Sequence, residues 1–408
     1  MDGCGAGQQP DERTGDPAMP AFSPTPAPSL HDLFFSFLRL GAVSFGGPGM
    51  VAYIKRLAVA QRRWVSEDGF RGGVALCQAL PGATAMQCAA WVGFRARRLG
   101  GAVAAYVGFG LPAFLLMFAL AVAYQRAFNV RAVTSALAGL RTLVVALVAN
   151  ATWSFARSSV KGSRDGAIAV ITAALFLVGG SPFLIVAAAG LAGTVVLRGQ
   201  TSRPPRAPWP RSMWNALRSP AMVLAFAAVL LAALLVVHRR LASLGLAMMK
   251  VDVFAFGGGF ASVPLMFHEI VDVRGWMPAN VFMDGIALGQ VTPGPIVITA
   301  TFVGYRVSGI AGAIVGTVCI FLPSLFLVVL ADPWFRRLGS SPIFQGATRA
   351  LVLSFVGLLA SVTIQFARLT PWSIPLGIIA GIGLVALLLN VDVVWVVLAA
   401  AAVSAVVL

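Results

Sequence analysis

Acidic and histidine side chains are scarce in this sequence, with 14 Asp and Glu and three His among 408 residues. That shortage excludes most site chemistry. No second histidine follows His268-Glu269 to complete a metalloprotease pair, and no glycine-rich GxxxxGK phosphate loop occurs. Three histidines offer no Ser/His/Asp set. The cysteines Cys4, Cys77, Cys88 and Cys319 lack CxxC spacing and nearby histidines, so neither a disulfide framework nor a zinc site is expected. No catalytic residue, metal or cofactor is expected. Charge of either sign is also low, at 11% of residues, where a soluble domain carries about a quarter. With 59% hydrophobic residues and a mean hydropathy of +0.88, the chain cannot cover a water-facing surface.

What is abundant is uninterrupted apolar sequence. Runs such as 221–237 and 391–408 are nearly free of charge. Outer-membrane strands alternate apolar and polar residues. These runs do not, and they are rich in Ala, Leu and Val, so the fold class is an all-α polytopic membrane protein embedded in the lipid bilayer. The net charge of +16 comes without an aromatic-interleaved basic patch. It reads as a set of topology determinants, with no nucleic-acid partner. Residues 1–29 are rich in Pro, Gly, Asp and Ala and lack a basic segment followed by an apolar core, so a disordered tail is expected and not a signal peptide.

Thirteen apolar segments are expected, roughly at 30–46, 74–94, 101–125, 131–156, 166–180, 182–197, 220–237, 242–257, 283–305, 310–331, 343–366, 372–389 and 391–408. Residues 198–220 are rich in Pro and Arg and contain no acid, which marks a linker. Four units follow: the tail, a first repeat over 30–197, a basic linker with a connecting helix over 198–240, and a second repeat over 241–408. One helix between two sets of six turns the second set upside down, giving inverted-topology repeats.

The residues support duplication. Ser44-Phe45-Gly46-Gly47 matches Ala255-Phe256-Gly257-Gly258, and Arg39 falls opposite Lys250. Leu76-Cys77-Gln78 with Pro81-Gly82 matches Leu288-Gly289-Gln290 with Pro293-Gly294. Trp64, the Val92-Gly93-Phe94-Arg95 run and Leu111-Pro112 recur as Trp276, Val303-Gly304-Tyr305-Arg306 and Leu322-Pro323, always 211 or 212 residues on. Strict alternation places thirteen loop cations on one side and six on the other. The expected topology is therefore a cytoplasmic N-terminus and an external C-terminus. Residues 47–73 and 259–282 are polar enough to be interfacial or re-entrant.

The paired breaks are the candidate transport site. Gly46, Gly47, Gln78, Pro81 and Gly82 in one half correspond to Gly257, Gly258, Gln290, Pro293 and Gly294 in the other. Proline interrupts the helical ladder, glycine lets backbone approach a ligand, and a helix restarting inside the protein presents free N–H groups that suit an anion. Glycines also serve close helix packing, but two matched pairs of breaks favour a binding role. Arg39 and Lys250 each precede a Gly-Gly by seven residues and are candidate counter-charges for a dianion. Arg141 and Arg349 are secondary candidates, and Thr84 and Thr292 are neutral donors. Glu269 and Asp284 are the acids through which protons could be coupled, with Asp252 and His268 nearby.

These residues, in this order and duplicated, resemble the chromate ion transporter family in its long two-domain form. The resemblance runs from about Leu33 to about Leu408 and rests on Phe37-Leu38-Arg39-Leu40-Gly41, Ser44-Phe45-Gly46-Gly47-Pro48, Arg63-Trp64, Gln78-Ala79-Leu80-Pro81-Gly82 and their second-half versions. The departures are Ala83, where many relatives carry a second proline that Pro295 keeps in the other half, and Gly49-Met50. The resemblance implies a secondary transporter of the bacterial inner (plasma) membrane that exports chromate and confers chromate resistance. Sulfate is also a tetrahedral dianion, so a sulfate uptake permease and an anion channel are the alternatives. A membrane-embedded lipid-phosphate enzyme is disfavoured for want of paired acids or a histidine cluster at the breaks. The oligomeric state stays open, a homodimer included.

Overall fold

The computed structural model describes residues 28–45, 49–127, 130–197, 213–335 and 341–407. The expected tail up to residue 27, the candidate residues Gly46 and Gly47, linker residues 198–212, and Arg336 and Arg337 lie outside them. All regular structure among the described residues is helical. In chain order the helices are α1 (Leu30–Val43), α2 (Gly49–Lys55, continued as a π-helix over Arg56–Gln61), α3 (Glu67–Ala79), α4 (Thr84–Ala127), α5 (Arg131–Ser159), α6 (Ser163–Leu177) and α7 (Pro182–Val196). After the linker come α8 (Met213–Val237), α9 (Arg239–Phe254), α10 (Gly259–Phe267, continued as a π-helix over His268–Val273) and α11 (Ala279–Val291). The last four are α12 (Thr299–Ala331, entered through a 3-10 turn at Ile296–Ile298), α13 (Pro342–Leu369), α14 (Ile374–Leu388) and α15 (Val393–Val407).

Length sorts these helices into two kinds. Five are long and apolar enough to cross a membrane: Thr84–Arg126, Arg131–Ser159, Leu217–Val237, Ile296–Ala331 and Pro342–Leu369. Helices α1, α3, α6, α7, α9, α11, α14 and α15 hold only 13 to 16 residues. At 1.5 Å per residue they reach roughly 20–24 Å, short of the ~30 Å hydrocarbon core. They fold back in hairpins. The π-helical end of α2 returns beside α1, where Arg62 Nη2 donates to Ser36 Oγ at 3.4 Å and Trp64 stacks on Phe37. Helix α3 packs Gly73 against Trp91 of α4, so segment 74–94, continuous in hydropathy, is a hairpin bent at residues 80–83. Segment 283–305 bends the same way between α11 and α12, where Gly285 packs on Phe302. Helices α1–α7 recur in the same order of long and short as α9–α15, with α8 between the two sets.

The repeat is visible in the backbone irregularities. The two π-helices lie 212 residues apart. Helix α4 folds over at Arg97 (φ −145°, ψ 34°) and Arg98 (φ 50°, ψ −146°), and α12 does so at Ser308 (φ −149°, ψ 31°) and Gly309 (φ 61°, ψ −146°). Behind each fold the two arms touch backbone to backbone, Gly93 on Gly101 and Gly304 on Gly312. Thr152 and Thr363, equivalent through the 211-residue offset, place their hydroxyls 3.2 Å apart, so the pseudo-two-fold axis passes between α5 and α13.

Polar contacts fix the two faces. Arg97 Nε donates to Pro28 O at 2.8 Å, beside the start of α1, while Trp91 Nε1 and Arg95 reach Asp332 at the end of α12, at 2.7 and 3.6 Å. These ends share one face, here the N-terminal face. Arg306 lies over the Tyr124 ring on the opposite face, at 5.8 Å.

The close glycine pairs generate a prediction. A Cβ at Gly93 or Gly304 would overlap the facing carbonyl, whereas one at Gly377 on α14 meets nothing within 4 Å. Gly93→Leu and Gly304→Leu are expected to destabilise the protein by at least the roughly 1–3 kcal/mol of an overpacked core. Gly377→Leu should be neutral or slightly stabilising, since leucine is the better helix former. Thermal unfolding in detergent, read by size-exclusion chromatography, checks the contrast.

Candidate functional site

Breaks in both halves meet around one chamber of about 980 Å³. Four helix starts line it: Met50 and Val51 of α2, Thr84 and Ala85 of α4, Gly259 and Phe260 of α10, and Ile296 in the turn entering α12. The first N–H groups of a helix have no intrahelical acceptor and carry the positive end of its dipole. Two of these starts come from each half, so an anion in the chamber is met by N–H groups of both repeats.

The turns are held in place by exchange between halves. Gly82 N–H donates to Ala255 O, the carbonyl that caps α9, and Gly294 N–H donates to Ser44 O, the carbonyl that caps α1, both at 2.8 Å. Gly82 (φ 109°) and Gly294 (φ 98°) adopt backbone that other residues avoid, and each packs on the equivalent position of a crossing helix, Ser324 of α12 and Ala113 of α4. Buried Asp252 accepts from Ser324 N–H at 2.7 Å and from its hydroxyl, just behind Gly82. In the first half the equivalent residue is Gly41, which packs directly on the backbone of Phe109.

Of the residues expected to bind substrate, Gln78, Gly257, Gly258, Gln290 and Gly294 line the chamber. Pro81, Gly82 and Pro293 are buried in the turns behind it. Gln290 Nε2 is buried with no hydrogen-bond partner among the described residues. Gly258 (φ 92°) is the N-cap of α10, has no side-chain cap, and faces the Thr84 hydroxyl across the two halves.

The charged candidates lie elsewhere. Arg39 is exposed on α1 and does not line the chamber. Lys250 donates to Glu269 and sits 3.7 Å from the Phe183 ring centre, and Arg274 holds the other oxygen of Glu269. Asp284 is fully buried, gripped by Arg141 Nε and Nη2 at 2.6 and 2.7 Å and by the Tyr124 hydroxyl at 2.8 Å. Arg349 pairs with Asp165 at 2.7 Å.

The cations that do line the chamber are Lys55 and Arg71. Both reach the same oxygen, Glu67 Oε1, at 2.8 and 3.0 Å. They fall within residues 47–73, a stretch too polar to read as a span. Their only sequence signal was that polarity, next to a break. Deeper in, the chamber offers neutral donors: two glutamines, two threonines and backbone N–H groups. This arrangement suits a small, hydrated oxyanion.

A family model described as Chromate transporter matches the chain twice, over residues 31–194 and 242–405. The chain belongs to the chromate transporter family. Its curated relatives are collinear with it. The Chromate transport protein of Pseudomonas aeruginosa is 31% identical over 361 residues, covering 86% of this chain and 84% of the relative. The Chromate transport protein of Cupriavidus metallidurans is 30% identical over 363 residues, 87% of each. An uncharacterized transporter of Methanocaldococcus jannaschii is 42% identical over 348 residues, 85% of this chain and 87% of its own. No solved structure gives a significant match. The two matched stretches of the chromate transporter family bracket the two halves whose breaks build the chamber, and the chain is a multi-pass membrane transport protein.

The two kinds of glycine at the site differ in a measurable way. At Gly258 a Cβ would meet only Thr84 Oγ1, at 3.6 Å, so Gly258→Ala carries the strain of its backbone alone, about 1–3 kcal/mol. At Gly82 a Cβ would also overlap Ser324 Oγ. Gly82→Ala is therefore expected to lower thermal stability more than Gly258→Ala, and chemical or thermal unfolding of the two purified variants checks the order.

Proposed function

We propose that this protein is a secondary transporter that exports chromate from the cytoplasm across the bacterial inner membrane, with its N-terminus cytoplasmic, and so confers chromate resistance. The observation that carries the reading is the convergence of helix starts from both halves, with the unpartnered Gln290 amide, on one chamber. Chromate is named because the curated relatives from Pseudomonas aeruginosa and Cupriavidus metallidurans are chromate transport proteins. The substrate contacts are assigned to the backbone N–H groups of Gly257 and Gly258, to those of Ala83 and Ile296 just after the Gly82 and Gly294 turns, to Gln78 and Gln290, and to Gly46 and Gly47 by repeat equivalence.

Direction has a physical basis. A dianion leaving an inside-negative cell gains about 4.6 kcal/mol per 100 mV, so the membrane potential alone drives efflux. Coupling to protons would run through Glu269 or Asp284, whose protonation would release Lys250 or Arg141 and loosen the hairpins they pin. The potential and a pH gradient are separable in vesicles clamped with valinomycin.

Energised cells expressing the protein are expected to hold less chromate than control cells, and an uncoupler should erase the difference. Excess sulfate should restore part of the accumulation if it shares the chamber. Equal or higher chromate content would remove export and favour uptake of sulfate or another anion. In clamped vesicles, efflux that follows the potential and ignores an imposed pH gradient would remove the proton-coupling role of Glu269 and Asp284.

A further inference from the structure

The two faces of the protein carry cavities at partly equivalent places, of unequal size and unequal charge. The chamber of about 980 Å³ lies toward the N-terminal face, where it is bounded by Ala52, Lys55, Ser158 and Val393. A second cavity, of about 360 Å³, is lined by Pro264, Phe267, Arg368 and Pro182. The 211- and 212-residue offsets pair Ala52 with Pro264, Lys55 with Phe267 and Pro182 with Val393. The second cavity thus overlaps, at these three positions, the repeat-related place of the chamber on the opposite face. Phe267, which lines it, packs edge to face on Phe282 and Phe366 with ring centres 5.5 and 5.1 Å apart, all three no more than 1% exposed.

The charge difference is specific. Lys55 is matched by Phe267 and Arg71 by Met283, so neither chamber cation has a charged counterpart. Arg368 is balanced by its equivalent, Arg157. The opposite cavity also carries Asp272, 3.5 Å from His268, at the place of Ala60. Lys250 and Arg274, the other cations of that hairpin, are already held by Glu269. Among the described lining residues, only the chamber carries two Lys or Arg side chains, and the carboxylate that holds them, Glu67, is half exposed where Glu269 is buried. That pair is pre-arranged: Lys55 comes from α2 and Arg71 from α3, yet both nitrogens converge on one carboxylate oxygen of Glu67. A carboxylate oxygen is a fair stand-in for an oxygen of a tetrahedral oxyanion in charge and in hydrogen-bond acceptance.

We propose that Lys55 and Arg71 are a one-sided capture pair for the oxyanion, with Glu67 as the resident anion that the substrate displaces, and that their replacement by Phe267 and Met283 in the second half makes the two faces kinetically unequal. The anion is drawn in at the N-terminal face, handed to the neutral N–H donors of the inner chamber, and released at a face that has no such pair to rebind it. Focused positive potential at a cleft mouth raises the encounter rate of an anion and does so less at high salt. The inference rests on the transport reading above and adds to it which residues set the side of capture.

The test uses the full chain reconstituted in vesicles, with one orientation silenced by an impermeant thiol reagent at a single engineered surface cysteine. Initial rates of radiolabelled chromate and sulfate transport are measured from each face. Wild type should show the lower KM from the N-terminal face, and raising the salt should raise that KM. Lys55→Met and Arg71→Met should each raise it by about three- to tenfold, with a smaller change from the opposite face. Lys55→Arg and Arg71→Lys should keep most of the asymmetry, which separates charge from packing. Glu67→Gln should lower KM at the N-terminal face, because the competing anion is gone. Monodisperse Met variants that keep the wild-type difference between faces would overturn the inference alone. A wild type that moves neither anion would overturn the transport reading and the inference with it.

Discussion

Each half of this protein completes the other through a single backbone hydrogen bond given and one received. Gly82 N–H caps the end of α9, and Gly294 N–H caps the end of α1. In a bilayer an unpaired backbone group costs several kcal/mol, so a helix that stops in mid-membrane needs a donor for its last carbonyls. A Pro-Gly turn supplies one, since the turn itself ends a helix and frees an N–H. Neither half can satisfy its own break, because the donor and the acceptor lie in different repeats. This constraint brings all four breaks to one place. Once the carbonyls are answered by the glycine N–H groups, what is left over is an excess of helix-start donors, and these face the chamber.

The shortage of acids has a structural consequence as well. Glu269, Asp284 and Asp165 each hold a cation of a neighbouring helix, and Asp252 holds the α12 backbone behind Gly82. With the acids committed as struts, no carboxylate that would repel an anion is among the described residues lining the deep chamber. Nor does it hold a fixed cation that would trap one. A site made of neutral donors suits an oxyanion that must enter and also leave, which a transport site requires.

Much of the architecture was legible in sequence because it is written in glycine and proline. The duplication and the pairing of breaks follow from residues whose backbone properties do not depend on neighbours. Hydropathy fared less well on segments 74–94 and 283–305. An apolar run does not record that the chain turns back halfway, and only the Pro-Gly pair inside it does. The charged residues were the least legible. Lys250 looked like a counter-charge because it precedes Gly257-Gly258, but a helix face cannot be read without knowing that Glu269, nineteen residues on, returns beside it. Lys55 and Arg71 were hidden for the converse reason, since they sit in a polar stretch whose hairpin partner is set by the other repeat.

What the two halves share and what they do not share divide cleanly between backbone and side chain. The folds at Arg98 and Gly309 have nearly the same dihedrals, although one is an arginine in backbone that favours glycine. The π-helices coincide in position while their residues differ at Leu57 and Glu269. Geometry has therefore been held constant across the duplication as the chemistry drifted. A symmetric backbone offers the same path in either direction, so any difference between the two membrane faces must come from the side chains laid on it. That places the determinants of sidedness at the mismatched positions, Lys55 against Phe267 and Arg71 against Met283, and leaves the matched glycines and prolines to define the path itself.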